Sequence, residues 1–406
     1  MDEIVVIGAG PAGLSAALVL AEADVACTII AAPHRPAGDR PDTRTAALFN
    51  PSITLLENIG VFDECRDECA ELKSIRLVDD TGGLFRAPEV LFEAREIEAP
   101  RFGYNVPQEP LMRALRAAAQ ASDLIRIVES EGVCSVAVDS DRAELTLAEG
   151  VRLTAKLVVA ADGRRSIARQ GVDIPVKEVS SGQSAVTCVF GHTRPHAGVS
   201  TELHRKAGPL TVVPMPGMVS SLVWVERPDV ADRLRSLDDK AFQQVLEDNL
   251  QGLLGEVLDV GPRALFPLSH LAADSMGRDR VALVGEAGHA MPPIGAQGLN
   301  LSLRDVGTLA DVVSEAVASN SDVGSPDLLE RYSALRKADA KNRDFAVWSM
   351  NQALLSDLLP VQAARGVALH TIKAFGPLRR QLMQLGMAPM SGLPAIMRAR
   401  HAEPAA

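Results

Sequence analysis

A glycine-rich turn between a hydrophobic run and a helix-like segment opens this chain. Ile4 to Ile7 is an apolar, β-branched run, which is typical of a buried parallel strand. The turn that follows, Gly8 to Gly13, has GxGxxG spacing, and a helix is predicted from Leu14 to Ala21. Glycines at this spacing permit a tight turn and let the backbone approach a pyrophosphate at the helix N-terminus, which predicts a dinucleotide-binding unit. The residues expected beside the phosphates are Gly8, Gly10, Ala12 and Gly13.

A second glycine-rich stretch, residues 285–300, lies between another predicted strand and helix. The strand is the apolar run Val281 to Val284, and apolar residues at three- and four-residue spacing predict a helix from Leu299 to Val313. A helix N-terminus offers free N–H groups and partial positive charge, which suit an electron-accepting ring such as flavin. Pro292 and Pro293 would form a backbone wall that donates no hydrogen bonds.

A third strand-like run ends in an Asp-Gly pair. Leu157 to Ala161 is apolar, and Asp162, Gly163 and then Ser166 follow it. One interpretation is a turn at the end of a strand, in which Asp162 caps a helix that starts near Ser166.

These three motifs, in their chain order, resemble the class A flavoprotein monooxygenases of the aromatic-hydroxylase type. In that order the first motif is Gly8 to Gly13, the second is the Asp-Gly motif from Leu157 to Ser166, and the third is the stretch at residues 285–300. Within that class, Gly295 to Leu301 with Arg304 and Asp305 is most similar to the ubiquinone-biosynthesis hydroxylases. Asp42 to Leu48 and Tyr104 to Gln108 also match that group, and the resemblance covers nearly the whole chain. It implies an α/β fold in which a Rossmann-like FAD-binding domain is interleaved with a β-rich substrate domain and followed by a helical C-terminal tail.

The resemblance also implies the chemistry. The cofactor would be FAD, held noncovalently because no His or Cys stands in a segment that is identifiable as an attachment site. NAD(P)H would be a transient reductant, since the chain has no second GxGxxG turn. O2 would form a C4a-hydroperoxyflavin, whose distal oxygen would pass to the ring of a polyprenylated phenol in ubiquinone biosynthesis. Because this substrate is oil-soluble, a membrane surface or a ubiquinone-biosynthesis complex is a candidate partner.

Two residues outside the glycine motifs have roles implied by the resemblance. Arg44 would border the flavin and the pyrophosphate, whose geometry arginine suits; the alternative is a loop salt bridge with Asp42 or Asp39. Gln108 would lie near the ribityl chain, or would simply begin a helix. The acidic residue that usually follows the second strand and holds the ribose is absent, since Thr28 to Ala32 ends without a carboxylate.

Three further residues carry implied roles inside the second and third motifs. Asp162 and Gly163 would lie near both the flavin and the pyridine nucleotide. Glu286 stands where the family usually has an aspartate for the ribityl hydroxyls. His289 is either a proton relay or a hydrogen-bonded structural residue. The other residues expected at the flavin are Gly295, Gln297, Gly298, Leu299 and Asn300, and those expected to act in catalysis are Pro292, Pro293 and His289.

Length and charge limit the remaining possibilities. The 406 residues suit two interleaved units and a tail, and the net charge of −11 argues against nucleic-acid binding. No apolar run reaches the length of about 18 residues that a transmembrane helix needs. Asp2 and Glu3 stand where a signal peptide would be basic, so we expect a cytoplasmic protein. The predicted units are an FAD-binding domain at residues 1–70, 101–175 and 267–340, a substrate domain at 71–100 and 176–266, and a helical segment at 341–406.

The cysteines and the C-terminal segment complete the predictions. Five scattered cysteines complete no metal-ligand spacing, so we predict neither a metal site nor a disulfide, but free and mostly buried thiols. Residues 341–406 hold eight Lys or Arg against three acidic residues, with apolar faces broken at Pro360 and Gly376. This segment is either an amphipathic tail on an anionic membrane, with Arg379 and Arg380 at the surface, or a pair of helices packed on the core.

Two other functions are compatible with these motifs. A flavin-dependent reductase of prenyl chains would use no oxygen, so oxygen consumption coupled to NAD(P)H oxidation separates it from a hydroxylase. A flavin-holding scaffold subunit would account for the missing ribose carboxylate and for Glu286 in place of aspartate. Its FAD would resist reduction by NAD(P)H even with substrate present.

Overall fold

The computed structural model describes residues 2–33, 42–82, 88–292, 297–337, 339, 359–387 and 392–399. Its helices are α1 (Pro11–Glu22), α2 (Asn50–Asn58), α3 (Gln108–Ala121), α4 (Ile167–Gly171), α5 (Pro228–Ser236), α6 (Asp239–Leu250), α7 (Gly298–Ala318), α8 (residues 326–337), α9 (Leu359–Ala374) and α10 (Gly376–Met387). Its strands are β1 (Asp2–Ile7), β2 (Cys27–Ala31), β3 (Thr45–Phe49), β4 (Ala70–Leu72), β5 (Ser74–Asp79), β6 (Val90–Glu93), β7 (Gly103–Pro107), β8 (Ile125–Glu129), β9 (Val133–Val138), β10 (Ala143–Leu147), β11 (Arg152–Ala160), β12 (Val176–His192), β13 (Val199–His204), β14 (Leu210–Met215), β15 (Val219–Glu226), β16 (Val257–Val260), β17 (Ala264–Ala273), β18 (Gly277–Arg278), β19 (Val281–Leu283) and β20 (His289–Ala290).

An eight-stranded sheet carries all three predicted motifs. Its main path is β18-β19-β11-β1-β2-β8, with β10 paired to β11 and β9 paired to β10. The strands from β19 to β8 along this path are parallel, and in register Ile7 lies beside Ala160, which lies beside Leu283. The three motifs therefore leave neighbouring strands at the same carboxyl edge, where doubly wound sheets bind ligands.

The apolar N-terminal run forms the centre of this sheet. Ile4, Val5 and Val6 are fully buried, because helices cover the faces of a parallel sheet. On one side α1 packs against α7. Helix α1 begins at Pro11, whose fixed φ suits the first helical position, and Leu14 lies in the core.

A nine-stranded sheet forms a second layer. Its order is β20-β17-β12-β15-β14-β13-β5-β6, with β16 paired to β12. One face carries Phe190 and Trp224 into an apolar core with Phe242 of α6. Because side chains alternate along a strand, the opposite face carries Glu202 and Thr211. A three-stranded sheet has the order β3-β7-β4, and its strands lie between β2 and β8 in the chain.

The predicted α/β class is confirmed, and several elements match closely. The helix predicted near residues 238–251 is α6, and the side chain of Asp238 caps it by accepting from the N–H of Ala241 at 2.9 Å. The hairpin predicted within residues 71–100 is the antiparallel pair β5 and β6. Strand β12 has 17 residues, far more than the predicted run from Ala185 to Phe190. It is long because β15 and β17 pair along its two edges.

The C-terminal helices α9 and α10 contact β6 and the turn that follows it, Ala94–Ile97. Met383 of α10 is buried in an apolar cluster with Phe102 and Val213, and Arg379 forms an ion pair with Glu96 at 2.6 Å. Packing on the core, one of the two interpretations of the tail, therefore holds for this part of α10. Among the described residues of these helices and the link between them, the large exposed apolar side chains are Val367, Phe375, Leu382 and Leu385.

Within the described ranges, no helix has the length and apolar character needed to cross a bilayer. The same residues contain no group of three or more His, Cys, Asp or Glu side chains placed to bind a metal ion. Cys27, Cys65 and Cys188 are buried thiols, as predicted for most of the cysteines, while Cys69 is half-buried and Cys134 is exposed.

Candidate functional site

Three glycines allow the motif turns to meet at the carboxyl edge of the sheet. A Cβ atom at Gly8, whose φ is +103°, would lie 2.5 Å from the carbonyl oxygen of Ala161. A Cβ at Gly13 would overlap the carbonyl oxygen of Gly8, and one at Gly285 would lie 3.3 Å from the Cβ of Ala12. Glycine is required at these positions because the turns after β1, β11 and β19 are in contact.

Gly10 faces open space instead. A Cβ there would meet no atom within 4 Å, and no side chain caps the first turn of α1. A cleft of 1080 Å³ opens at this point and is lined by Gly10, Pro11, Ala32, Arg44 and Gln108, among others. An open glycine beside an uncapped helix N-terminus fits the pyrophosphate of a dinucleotide such as FAD.

Arg44 and Gln108 lie together on the wall of this cleft. The Arg44 guanidinium donates two hydrogen bonds to Asp42, at 2.6 and 2.8 Å, which is the ion pair that the alternative interpretation of Arg44 predicted. The N–H of Gln108 donates to the carbonyl of Arg44 at 3.0 Å, so the start of α3 is fixed to the Arg44 segment. Strand β2 ends at Ala31 without a carboxylate, and Glu131 lines the same cleft from the segment that follows β8.

Asp162 caps a helix and keeps one oxygen unused. Its Oδ2 accepts from the N–H groups of Ile167 and Ala168 at 2.8 and 3.2 Å, which confirms the capping interpretation. Its Oδ1 is buried and has no hydrogen-bond partner among the described residues. Such an oxygen fits a hydroxyl or N–H group of a ligand, since buried acceptors are normally paired. Gly163 follows at φ +77°, a conformation that favours glycine.

Glu286 lies on a single 3-10 turn, Gly285–Ala287, that follows β19. Its side chain is 56% exposed and forms an ion pair with Arg164 at 3.3 Å. Arg164 also donates to the hydroxyl of Ser269 at 2.9 Å. The carboxylate is therefore held at the surface of the site, close to the turn that carries Asp162.

His289 lies in a buried ion-pair network. Its ring is 6% exposed, and its Nε2 is 2.6 Å from Oδ2 of Asp305. Asp305 also accepts from the N–H of Gly285 at 2.9 Å and from Arg336 at 2.7 Å. Burial alone would raise the pKa of Asp305, but the charges of His289 and Arg336 hold that pKa below its usual value of 3.8. This geometry favours the structural interpretation of His289, because the network fixes the turn that carries Glu286.

Arg169 is a site residue that the sequence interpretation did not assign. It is buried and donates to the carbonyl oxygens of Ala287 at 2.7 Å and Arg164 at 2.8 Å. It thereby joins the Asp-Gly turn to the third motif. Its position on α4, directly after that turn, was the only signal for this role in the sequence.

The N-terminus of α7 is anchored by Asn300. Its side-chain oxygen accepts from the N–H of Phe49 at 2.9 Å and the hydroxyl of Ser52 at 2.8 Å, and its amide donates to the carbonyl of Ala47 at 2.8 Å. Gln297 is buried just before the helix, and among the described residues no side chain caps the first turn. Pro292 is also buried. Pro293 and Gly295 lie outside the described residues.

An apolar cavity of 260 Å³ lies between the third motif and the nine-stranded sheet. Met291, Gly298 and Leu299 form the side that belongs to the motif. The sheet contributes Ile75, Ser200, Glu202, Thr211, Val213 and Val223. Thr45, Ala46, Ala47, Phe49, Leu72 and Asn105 complete the wall. The cavity can accept a mostly apolar ring next to the uncapped positive end of α7.

Comparison with known proteins gives matches over most of the chain. Residues 1–343 match the sequence family described as FAD binding domain. The ubiquinone hydroxylase UbiL of Rhodospirillum rubrum is 33% identical over 391 residues, which cover 95% of this chain and 89% of the relative. The 3-demethoxyubiquinol 3-hydroxylase of Escherichia coli K12 is 28% identical, over 95% of this chain and 98% of the relative.

A solved structure confirms the fold independently. The crystal structure of p-nitrophenol 4-monooxygenase PnpA from Pseudomonas putida DLL-E4 matches with a TM-score of 0.76 at 19% sequence identity. The match covers 95% of this chain and 98% of that chain. With the sequence matches above, it follows that the chain belongs to the class A FAD-dependent monooxygenases, in the family of the ubiquinone-biosynthesis hydroxylases.

Proposed function

We propose that this protein hydroxylates the aromatic ring of a polyprenylated phenol in ubiquinone biosynthesis, with O2 as the oxygen source and NAD(P)H as a transient reductant. The observation that carries the proposal is the apolar cavity, whose wall includes Met291, Gly298 and Leu299 of the third motif. A phenol ring in this cavity lies beside the flavin-binding segment. Two relatives are named as a ubiquinone hydroxylase and a 3-demethoxyubiquinol 3-hydroxylase.

FAD is held noncovalently at the edge of the eight-stranded sheet in this proposal. Gly10 and the first turn of α1 receive the pyrophosphate, with Arg44 and Gln108 on the cleft wall. Asp162 and Glu286 accept hydrogen bonds from ligand hydroxyl or N–H groups through their carboxylate oxygens. Reduced FAD, when bound, supplies the activation of O2 that ring hydroxylation requires. In this proposal the cofactor unit comprises residues 1–70, 101–175 and 267–340, and the substrate unit comprises residues 71–100 and 176–266.

The protein groups around the cavity exclude water and stabilise charge. The uncapped N-terminus of α7 at Gly298 places partial positive charge beside the ring site. Pro292 is buried and donates no hydrogen bond, while Leu299 and Val223 cover the ring with apolar surface. His289 contributes by position: its contact with Oδ2 of Asp305 fixes the turn that carries Glu286.

The C-terminal helices are the proposed contact with a membrane or with a biosynthetic complex, for a protein that works in the cytoplasm. Phe375, Leu382 and Leu385 are exposed and apolar, and Lys373 and Arg380 are exposed beside them. An apolar surface with basic residues suits an anionic bilayer, from which a polyprenylated phenol would be drawn.

The purified protein tests the proposal against its two alternatives. With FAD, NAD(P)H and a short-chain prenyl phenol, the proposal predicts oxygen consumption coupled to NAD(P)H oxidation. A prenyl reductase would oxidise NAD(P)H without oxygen, and a scaffold subunit would leave FAD oxidised. In a deletion strain, the quinone precursor that accumulates should carry one hydroxyl fewer than the next intermediate, and unchanged ubiquinone levels would contradict the proposal.

A further inference from the structure

Glu202 brings a carboxylate into the apolar cavity. It is 7% exposed, and it is the one ionisable side chain among the described residues that line the cavity. A buried carboxylate is costly unless other groups compensate for its lost hydration. The burial of this side chain beside a ring-sized space therefore indicates a role at the ring.

His204 is the partner of this carboxylate. Its Nε2 is 2.7 Å from Oε1 of Glu202, and its ring is 5% exposed. The two residues are two positions apart on β13, so both side chains lie on the same face of the sheet. Because Oε1 contacts His204, Oε2 is the oxygen that can meet a ligand in the cavity.

The strands that pair with β13 determine which ionisable groups lie near Glu202 and His204. In the parallel ladder, β5 places Asp79 opposite His204, and in the antiparallel ladder, β14 places Thr211 opposite Glu202. Strand β14 carries no ionisable side chain. Across the cavity, the groups are the backbone of the α7 N-terminus and apolar side chains such as Leu299.

Two polar side chains of the wall, those of Thr45 and Asn105, form hydrogen bonds to residues that do not line the cavity. The hydroxyls of Thr45 and Ser221 are 2.9 Å apart, and the amide of Asn105 donates to the carbonyl of Pro214 at 2.9 Å. Neither a hydroxyl nor an amide takes a proton near neutral pH. Glu202 is therefore the wall residue with proton-accepting capacity.

We propose that Glu202 accepts the phenolic proton of the substrate as the ring reacts, and that His204 positions its carboxylate. This assignment rests on the proposed function, because it requires a phenol in the cavity. The phenolic O–H bond breaks, its electron pair stays on the phenolic oxygen, and the proton bonds to Oε2. The ring positions ortho and para to that oxygen become more electron-rich, which is what attack on an electrophilic oxygen requires. A positioned base of this kind contributes about 10²–10⁴-fold to rate.

Glu202→Gln tests the assignment, with Glu226→Gln as the matched control, because Glu226 lies on β15 of the same sheet and is not among the described residues that line the cavity. In Glu202→Gln, kcat should fall about 100-fold while KM changes little. The variant should gain activity with rising pH as the phenol itself ionises, and more steeply than the wild type does. A fluorinated phenol, which ionises more readily, should restore part of its rate. Glu226→Gln should keep the wild-type kcat, KM and pH profile.

A binding measurement separates this assignment from the proposed function. Calorimetry should show that the wild type prefers a phenol to its methyl ether by about tenfold, because a charged acceptor is present, and that Glu202→Gln loses most of this preference. If the wild type has this preference but hydroxylates no prenyl phenol, the proposed function fails and Glu202 remains a phenol ligand. If the wild type has no such preference, or Glu202→Gln keeps the wild-type rate and pH profile, the assignment is wrong.

His204→Gln examines the positioning role. The carboxylate would lose its hydrogen-bond donor at the imidazole, so kcat should fall while KM changes little, and the preference for a phenol over its methyl ether should weaken. An unchanged kcat and an unchanged preference would show that His204 only fills space.

Discussion

Gly10 and Gly13 belong to one motif, yet alanine at these positions should have opposite effects. In the structure, Gly10 has φ −76° and ψ −178°, which any residue adopts, and its added Cβ would meet no atom within 4 Å. The free energy of unfolding of the Gly10→Ala apoprotein should therefore stay within about 1 kcal/mol of wild type. A Cβ at Gly13 would overlap the carbonyl oxygen of Gly8 and lie 3.1 Å from the Cβ of Ala161. Backbone atoms cannot rotate away, so Gly13→Ala should destabilise the fold by about 1–3 kcal/mol.

The direct effect on FAD affinity should be larger for Gly10→Ala than for Gly13→Ala. The new methyl group of Gly10→Ala would occupy the space beside α1 that we assign to the pyrophosphate. Losing one charge-assisted hydrogen bond between phosphate and amide costs about 1.5–3 kcal/mol. The Kd for FAD should then rise by about tenfold to a hundredfold.

Two titrations on the same apoprotein preparations examine this pair of variants. Urea unfolding gives the free energy of unfolding, and quenching of flavin fluorescence gives the Kd. Gly10→Ala should unfold at the wild-type midpoint and bind FAD weakly, and Gly13→Ala should unfold at lower urea. Wild-type FAD affinity in Gly10→Ala, or wild-type stability in Gly13→Ala, would contradict the roles assigned to these glycines.

Three further predictions concern other charged residues. Glu286→Ala should weaken FAD binding by up to about 1.5 kcal/mol, a limit set by the side chain's exposure of more than half. Glu286→Asp should retain or improve binding. Equal Kd values for FAD in a flavin titration of the three proteins would show that Glu286 points elsewhere. Asp305→Asn should lower the free energy of unfolding by about 3 kcal/mol near neutral pH, because it removes one of the two buried carboxylates that contact Arg336, the other being Asp339. The pKa of Asp305 is depressed in the folded state, so the stabilisation that its carboxylate provides is present above the usual value of 3.8 and is lost as the pH falls through the lower folded value. The urea midpoints of wild type and variant should therefore converge at acid pH. A difference between the midpoints that did not narrow would contradict this role of Asp305. Arg380→Glu should weaken binding to anionic vesicles by about 1 kcal/mol or more in flotation at low salt. Arg379→Glu should instead detach α10 from Glu96 and increase the proteolysis of α10. If the wild type does not bind such vesicles, the tail is purely structural.

The elements that depend on local residue patterns could be predicted from the sequence. The run from Ile4 to Ile7 and the glycines after it predict a strand, a turn and a helix without reference to distant residues, and the structure has these elements. Spacing alone could not separate the glycines by role, however. It predicts that Gly8, Gly10 and Gly13 all approach the phosphates, whereas Gly8 and Gly13 are also required for backbone contacts inside the protein.

Contacts between distant segments were not predictable in the same way. Arg169 meets Ala287 because parallel strands bring the segments that follow them to one edge of the sheet. Asp305 of α7 meets Arg336 of α8, so that contact joins two helices that are distant in sequence. The length of β12 depended on pairing partners that follow it in the chain. These features depend on tertiary packing, which overrides local propensity and leaves no periodic signal.

The proposed activity is the transfer of an oxygen atom from O2 to the ring of a prenylated phenol. The direct measurement is turnover of FAD-loaded wild type with NAD(P)H, a short-chain prenyl phenol and isotopically heavy O2, followed by mass spectrometry of the product. The product should carry one heavy oxygen atom on the ring and an intact prenyl chain. Recovery of unlabelled phenol with hydrogen peroxide as the sole oxygen product, or of a phenol with a reduced prenyl chain, would contradict it.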